Sequence, residues 1–336
     1  MVKVGIVGSG FGLYGLLPAF NSTPNCRVTA ISGTKSERLI SYCQRIGLKT
    51  IYTDWRVMLD KEKLDAVALA VMPSAQYQVA KVAIKKGLHV FVEKPLAATF
   101  MQAKELLFLA KQKKIINVID FLFPEIDEWK KVKELLDKKE LGKLNQIQLN
   151  WDFLSYDIKN RKSSWKTSIA QGGGALSFYF SHCLYYLEHF AGKISNFKSL
   201  LTNSKKSING GEVGIDLILR FKNNVTGNAH LSCNVRGLNR HQLIFICEKG
   251  TIVLENENSI TSNFVIKTYT DNEVKRLSIP KEKNITTNED ERVRIIKKLT
   301  TRFIESIIRK KEVTPSLHEG VRVQELIEKI RTNSYV

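Results

Sequence analysis

The chain has 336 residues, 43% of them hydrophobic and 25% charged, a length that suits two domains and a composition that argues against a disordered protein. No run approaches the roughly 18 apolar residues of a membrane helix. The five cysteines are odd in number and form no C-x-x-C pair, which argues against a disulfide framework or a zinc site; no metal is expected.

The net charge is +19. Lysine pairs such as Lys85-Lys86, Lys113-Lys114, Lys130-Lys131 and Lys297-Lys298 fall on amphipathic helices, where they make solvated faces. Zinc-finger, K-homology and RNA-recognition patterns are missing, so no nucleic-acid partner and no membrane partner are expected. Attraction of a phosphorylated cofactor or substrate is the better use of the charge. Met1 leads directly into an apolar run with no cleavage-type site after it, and the expected location is the cytoplasm.

In chain order, Val2 to Val7 reads as a strand, and a helix follows from Leu13 to Phe20. Arg27 to Ser32 is a strand, and Ser36 to Ile46 a helix that stops at Gly47. Asp65 to Val71 is a strand, Gln76 to Lys86 a helix closed by Gly87, and His89 to Glu93 a strand. Phe100 to Lys114 is a helix and Ile115 to Phe121 a strand. Alternation of this kind predicts a doubly wound parallel sheet over residues 1–121. Later segments alternate apolar and polar residues, as in Gly214 to Phe221, Val225 to Cys233 and Gln242 to Cys247. Such alternation is what half-buried strands of an antiparallel sheet show.

Gly8-Ser9-Gly10-Phe11-Gly12 lies at the first strand-to-helix turn. There a nucleotide-binding fold places a pyrophosphate on backbone N–H groups at a helix start. Gly8 permits the tight turn, and Gly10 lets the backbone approach the phosphates. The third glycine of the strict G-x-G-x-x-G pattern would fall on Leu13. Gly8, Gly10, Phe11 and Gly12 are the candidate phosphate-binding residues. An NAD-specific fold places an acid at the end of the second strand, and here Ser32 and Gly33 are not acidic. Ser32, Thr34, Lys35 and Arg38 instead offer hydroxyls and positive charge to a 2′-phosphate, while Glu37 should face solvent. The expected cofactor is NADP, with NAD possible.

Gly87-Leu88-His89-Val90-Phe91-Val92-Glu93-Lys94-Pro95-Leu96-Ala97 resembles the G-K-H-V-x-x-E-K-P-L-A signature of the Gfo/Idh/MocA oxidoreductases. Gly172-Gly173-Gly174, followed by His182, is similar to the family's G-G-G-x-x-x-D-x-x-x-H stretch. Lys133 to Leu149 and Cys247 to Ile252 resemble its second-domain elements, and Thr314-Pro315-Ser316 precedes a last helix as is common there. The resemblance implies a Rossmann domain over residues 1–121, followed over residues 122–336 by a substrate-binding and oligomerisation α/β domain with a large, open, mostly antiparallel sheet, one face of which covers nicotinamide and substrate while the other often makes the oligomer interface. It also implies hydride transfer between the cofactor and a secondary alcohol or ketone of a sugar, nucleotide sugar or polyol, by a homodimer or homotetramer.

Such chemistry needs a group that holds the substrate oxygen and a group that moves its proton. Lys94 directly follows a buried strand at the carboxyl edge of the sheet and is the first catalytic candidate. Glu93 and Pro73, also at strand ends, are assigned to the cofactor. His182 matches the family's histidine and is the second catalytic candidate. Tyr156, Trp165 and Tyr179, with Lys94 and His182, are the substrate candidates. One departure matters: the family usually has aspartate four residues before the histidine, and Phe178 stands there. Either His182 acts alone, or Tyr179 substitutes, or the chemistry differs. The alternative is a non-catalytic NAD(P)-binding regulator or scaffold on the same fold.

Overall fold

The computed structural model describes residues 1–203, 210–280 and 289–334. These form two compact units. One comprises residues 1–122 and the described part of 287–325; the other comprises the described parts of 123–286 and 326–336.

The first unit is built on six strands: β1 (Val2–Val7), β2 (Cys26–Ser32), β3 (Ile51–Tyr52), β4 (Ala66–Leu69), β5 (His89–Val92) and β6 (Asn117–Ile119). All pair in parallel, in the order β3-β2-β1-β4-β5-β6. The order reverses between β1 and β4, the place where doubly wound folds bind ligands. Strands covered on both faces read as continuous apolar runs, and β4 (Ala-Val-Ala-Leu) is fully buried.

Local capping explains the helix starts. Ser36 caps α2 (Glu37–Arg45), Asp54 caps α3 (Trp55–Lys61) and Thr99 caps α5 (Phe100–Lys113), each accepting a backbone N–H. α4 (Pro73–Lys85) begins three residues before the start read from the sequence, because Pro73 occupies its first turn, where a missing N–H costs nothing. The helix expected from Leu13 is a widened turn, Gly12–Leu16, running into α1 (Leu17–Asn21). β3 and α3 fell outside the sequence reading, since a two-residue strand carries no periodicity.

After the second unit's sheet the chain returns. Helix α10 (Val293–Arg309) buries Ile296, Leu299, Phe303 and Ile304 in the first unit's core. Phe303 packs edge-on against Phe91 at 5.8 Å and Phe20 at 6.3 Å. Thr300 and Thr23 share a buried hydroxyl contact of 2.7 Å. The chain passes from the first unit to the second within α11 (Leu317–Asn333).

The second unit carries α6 (Asp127–Asp137), α7 (Tyr156–Lys159), α8 (Ala175–Phe178) and α9 (Phe180–Ala191). Its eight strands are β7 (Leu144–Asp152), β8 (Ile194–Asn203), β9 (Glu212–Phe221), β10 (Thr226–Ser232), β11 (Arg240–Cys247), β12 (Gly250–Glu257), β13 (Val265–Tyr269) and β14 (Val274–Leu277). Their order is β14-β13-β12-β11-β7-β10-β9-β8, antiparallel except for β7 with β10. On one face Leu149, Trp151, Leu231 and Phe245 are buried. Beneath it His241 stacks on Trp151 at 4.4 Å and bonds the Tyr186 hydroxyl at 3.0 Å. Burial pushes its imidazole down to about 3, so the ring is neutral at physiological pH. The opposite face is polar. Its charged row runs across neighbouring strands, with His230 bonded to Asp216 (2.7 Å) and Asp152 (3.1 Å), and Asp152 to Arg240 (2.7 Å).

Candidate active site

The glycine turn follows β1. Gly8 holds φ +125°, and a Cβ there would meet the Ala70 carbonyl oxygen at 2.2 Å, so only glycine fits. Its N–H donates to the Ser32 carbonyl at 2.8 Å. A Cβ on Gly10 would meet nothing within 4 Å, so the turn is open where a phosphate would approach. Gly12 lies against Ile6 and Ala70. Phe11 rests on Gly15, where a Cβ would come within 2.3 Å of its ring. The Arg292 guanidinium sits 4.3 Å over that ring and is held by Asp290 at 2.7–2.8 Å. Arg292 precedes α10 and was invisible to the sequence reading, because 280 residues of chain separate it from the turn.

Ser32 is buried, while Thr34, Lys35, Glu37 and Arg38 are exposed. Arg38 lies over the Tyr14 ring at 5.4 Å. No carboxylate stands at the end of β2, and two cations flank it. An open glycine turn with this surround fits a dinucleotide.

Lys94 sits on the turn after β5, where the Glu93 N–H donates to the Leu69 carbonyl at 2.9 Å. Gln76, on α4 and 1% exposed, pins that turn. Its side-chain amide donates to the carbonyls of Glu93 (2.5 Å), Pro95 (3.0 Å) and Leu96 (3.2 Å). Sequence reasoning missed Gln76, since a glutamine on an apolar helix carries no signal of its partners. Pro73 starts the same helix. Tyr77, one residue on, is bonded to Glu105 instead.

Beside Lys94 lies a carboxyl pair. Asp120 follows β6 and is 1% exposed; its N–H donates to the Val92 carbonyl at 2.8 Å. Its carboxyl neighbours that of Glu93. Two carboxylates can only accept, which would leave both Asp120 oxygens and Glu93 Oε1 buried without a donor. A proton held between the two carboxyls would supply one donor and remove one of the two charges. Burial raises both groups, and for Asp120 the Glu93 charge adds to it, while Lys94 and Arg292 oppose the shift.

In the second unit, a cavity of 410 Å³ is lined by Ser155, Lys166, Tyr179, Glu212 and Cys233 among others. Burial raises Tyr179, so its hydroxyl stays protonated; Ser155 is its hydrogen-bond partner. His182 is not part of that lining. It is 6% exposed, with its ring edge-on to Phe123 at 5.0 Å. Phe178 packs on Trp165 (5.3 Å) and Tyr179 (4.6 Å), and Lys166 caps its ring at 4.9 Å. Tyr156 is exposed and accepts from Lys162 at 3.0 Å. The glycine run has a packing reason. A Cβ on Gly173 would meet the Trp165 carbonyl at 2.0 Å, and one on Gly174 would meet Glu212 at 1.9 Å. Arg331 locks the same corner through Glu212 (2.6 Å) and the Gly173 carbonyl (2.6 Å).

A phosphate-cradling turn at the switch point of a doubly wound sheet, joined to a second unit with an open sheet, defines a two-domain dinucleotide-binding oxidoreductase. Residues 2–121 match the family model described as "Oxidoreductase family, NAD-binding Rossmann fold", and residues 129–253 match the GFO/IDH/MocA C-terminal domain. The chain belongs to the Gfo/Idh/MocA oxidoreductase family. It is 27% identical to an oxidoreductase of Synechocystis sp. over 97% of this chain and 92% of that protein. It is 24% identical to a levoglucosan dehydrogenase of Pseudarthrobacter phenanthrenivorans over 71% and 70% of the two chains. Among solved structures, a levoglucosan dehydrogenase in complex with NADH and L-sorbose superposes with a TM-score of 0.87 at 18% identity, covering 99% of this chain and 96% of that one. A 3-ketoreductase from Actinomadura kijaniata, in complex with NADP and TDP-benzene, gives 0.83 at 18% identity, covering 99% and 98%. These likenesses establish the shared fold.

A proton shared by Glu93 and Asp120 would have a thermodynamic signature. A carboxyl whose folded pKa is raised contributes stability in full below its unfolded value, and loses it as pH rises through the folded value. Asparagine copies the protonated carboxyl. Asp120→Asn is therefore expected to raise the thermal midpoint by a few degrees at pH 8, with the gain shrinking toward pH 4. Melting curves at both pH values check this; a gain that does not change with pH would refute the shared proton.

Proposed function

We propose that the protein is a dehydrogenase or reductase that moves a hydride between NADP(H) and a secondary alcohol or ketone of a sugar, nucleotide sugar or polyol. The observation that carries this reading is the Lys94 turn, at the carboxyl edge of a sheet whose first turn is an open glycine cradle, and pinned by three bonds from Gln76. Relatives named as sugar and nucleotide-sugar oxidoreductases support the substrate class.

Gly8, Gly10, Phe11 and Gly12 would hold the pyrophosphate, Ser32, Thr34, Lys35 and Arg38 the 2′-phosphate, and Pro73 and Glu93 the nicotinamide end. A bound nicotinamide supplies or accepts the hydride. Lys94 then donates to the substrate oxygen and stabilises charge on it. Tyr179, kept protonated by burial, donates to a substrate hydroxyl, with Trp165 and Tyr156 as further substrate contacts. His182, packed under Phe123, is assigned the proton relay.

A cofactor-binding regulator is the second reading. It is favoured by Phe178, which cannot take a proton or orient an imidazole. The cytoplasm is the proposed location. The polar face of the eight-stranded sheet, with Ile218 70% and Leu200 50% exposed, is proposed to join copies of the chain as a homodimer or homotetramer.

Lys94→Ala is expected to lower kcat by about 10²–10⁴-fold while leaving the Kd for NADPH within about twofold. Stopped-flow NADPH oxidation over a panel of keto sugars measures both; wild-type kcat in the variant would remove Lys94 from the reaction. Titration of both cofactors is expected to show tighter NADPH than NADH binding, with Ser32→Asp weakening NADPH the more, since a new carboxylate would meet the 2′-phosphate. Equal affinities would overturn the preference. Light scattering at micromolar concentration is expected to return a dimer or tetramer mass, and a monomer mass would reject the sheet interface.

A further inference from the structure

The excess positive charge has one local concentration that hydride transfer leaves unexplained. The cavity of the second unit is lined by Lys159, Arg161, Lys162, Lys166 and Arg236. Its carboxylates are Asp157 and Glu212. Glu212 is already engaged by Arg331 at 2.6 Å, and Asp157 accepts the Ser164 hydroxyl at 2.6 Å. Among the described residues the cavity wall is therefore strongly cationic.

Arg161 stands on the exposed part of that wall. Helix α7 closes with the Lys162 N–H returning to the Asp157 carbonyl at 2.8 Å, which puts Arg161 at φ +51°. That backbone conformation favours glycine, although helices α5 and α10 of this chain also end on a cation in it, Lys114 and Lys310. In the buried lining Glu212 is paired with Arg331, and Ser155, Val213 and Cys233 are neutral, the Cys233 thiol being pushed up to about 12 by burial. Neutral hydroxyls at the buried end and cations at the exposed end suit a molecule with a polyol at one end and an oxyanion at the other.

We infer that this cavity binds an anionic group of the substrate, phosphoryl or carboxyl, so that the enzyme acts on a sugar phosphate, nucleotide sugar or sugar acid in preference to a neutral sugar. The word substrate rests on the oxidoreductase reading; the anion site does not.

Isothermal titration of the full-length protein with inorganic pyrophosphate, glucuronate and glucose tests it, with and without saturating NADPH. At least one anion is expected to bind, and glucose to bind far more weakly; which anion binds tells phosphoryl from carboxyl. The double variant R161Q/R236Q is expected to weaken the anion about tenfold. Arg161→Gly relieves the backbone cost, so it is expected to raise the thermal midpoint while still weakening the anion. Failure of both anions to bind overturns the inference. So does unchanged affinity in the variants, which would place the anion elsewhere, such as the glycine turn. NADPH binding in the same samples reports on the oxidoreductase reading separately, and the anion arms decide this inference whichever way that result falls.

Discussion

At Gly8 the backbone passes so close to the Ala70 carbonyl that a Cβ would stand 2.2 Å from it. That approach lies between β1 and β4, the two strands where the sheet changes its direction of winding. Because the chain turns there without a side chain, its N–H can reach the Ser32 carbonyl. β2 and the turn are thereby tied together, and Gly33 comes to rest against Ser9, where a Cβ would be 2.6 Å away. The open cradle at Gly10 exists only because its neighbours are drawn in this tightly. A single alanine at Gly8 would push β1 from β4 and close the place where a phosphate fits.

Patterning exposed the parts of the fold that have a period. The parallel strands show as apolar runs and the antiparallel ones as alternation, and both sheets lie where those patterns put them. Glycine spacing and the E-K-P run carry the family, because backbone demands are met by particular residue types. What stayed hidden were pairings made only by tertiary contact. Gln76 looks like any helix residue until the carbonyls of Glu93, Pro95 and Leu96 surround its amide. Arg292 meets Phe11 only after the chain has completed another sheet and returned. Asp120 reads as a strand-end acid, and nothing local says that Glu93 neighbours it.

These hidden residues share a physical character. Each is a polar group beside the Lys94 turn or the glycine turn, Gln76 and Asp120 buried and Arg292 half-buried, and each restrains a backbone segment or a charge rather than filling space. A buried polar group is tolerated only when its partners are fixed. Gln76 fixes three carbonyls on the turn that carries Lys94. Burial raises both carboxyls of the Glu93–Asp120 pair beside the Lys94 ammonium, which favours holding a proton there, while Lys94 and Arg292 oppose it. The ammonium thus keeps a defined electrostatic setting on a turn that cannot drift, which is what donation to a developing oxyanion requires.

Phe178 shows how one substitution redistributes chemistry in the second unit. An aspartate at this position would place a negative charge on the helical stretch that leads into His182. The phenyl ring instead joins Trp165 and Tyr179 in an aromatic stack that Lys166 caps. The stack removes a carboxylate from the neighbourhood of the cavity and leaves Tyr179 as a neutral donor among cations. Lys166, which lies over the Phe178 ring, also lines the cavity. A neutral ring thus stands where the family usually has an aspartate, beside a cavity whose lining carries more lysines and arginines than carboxylates.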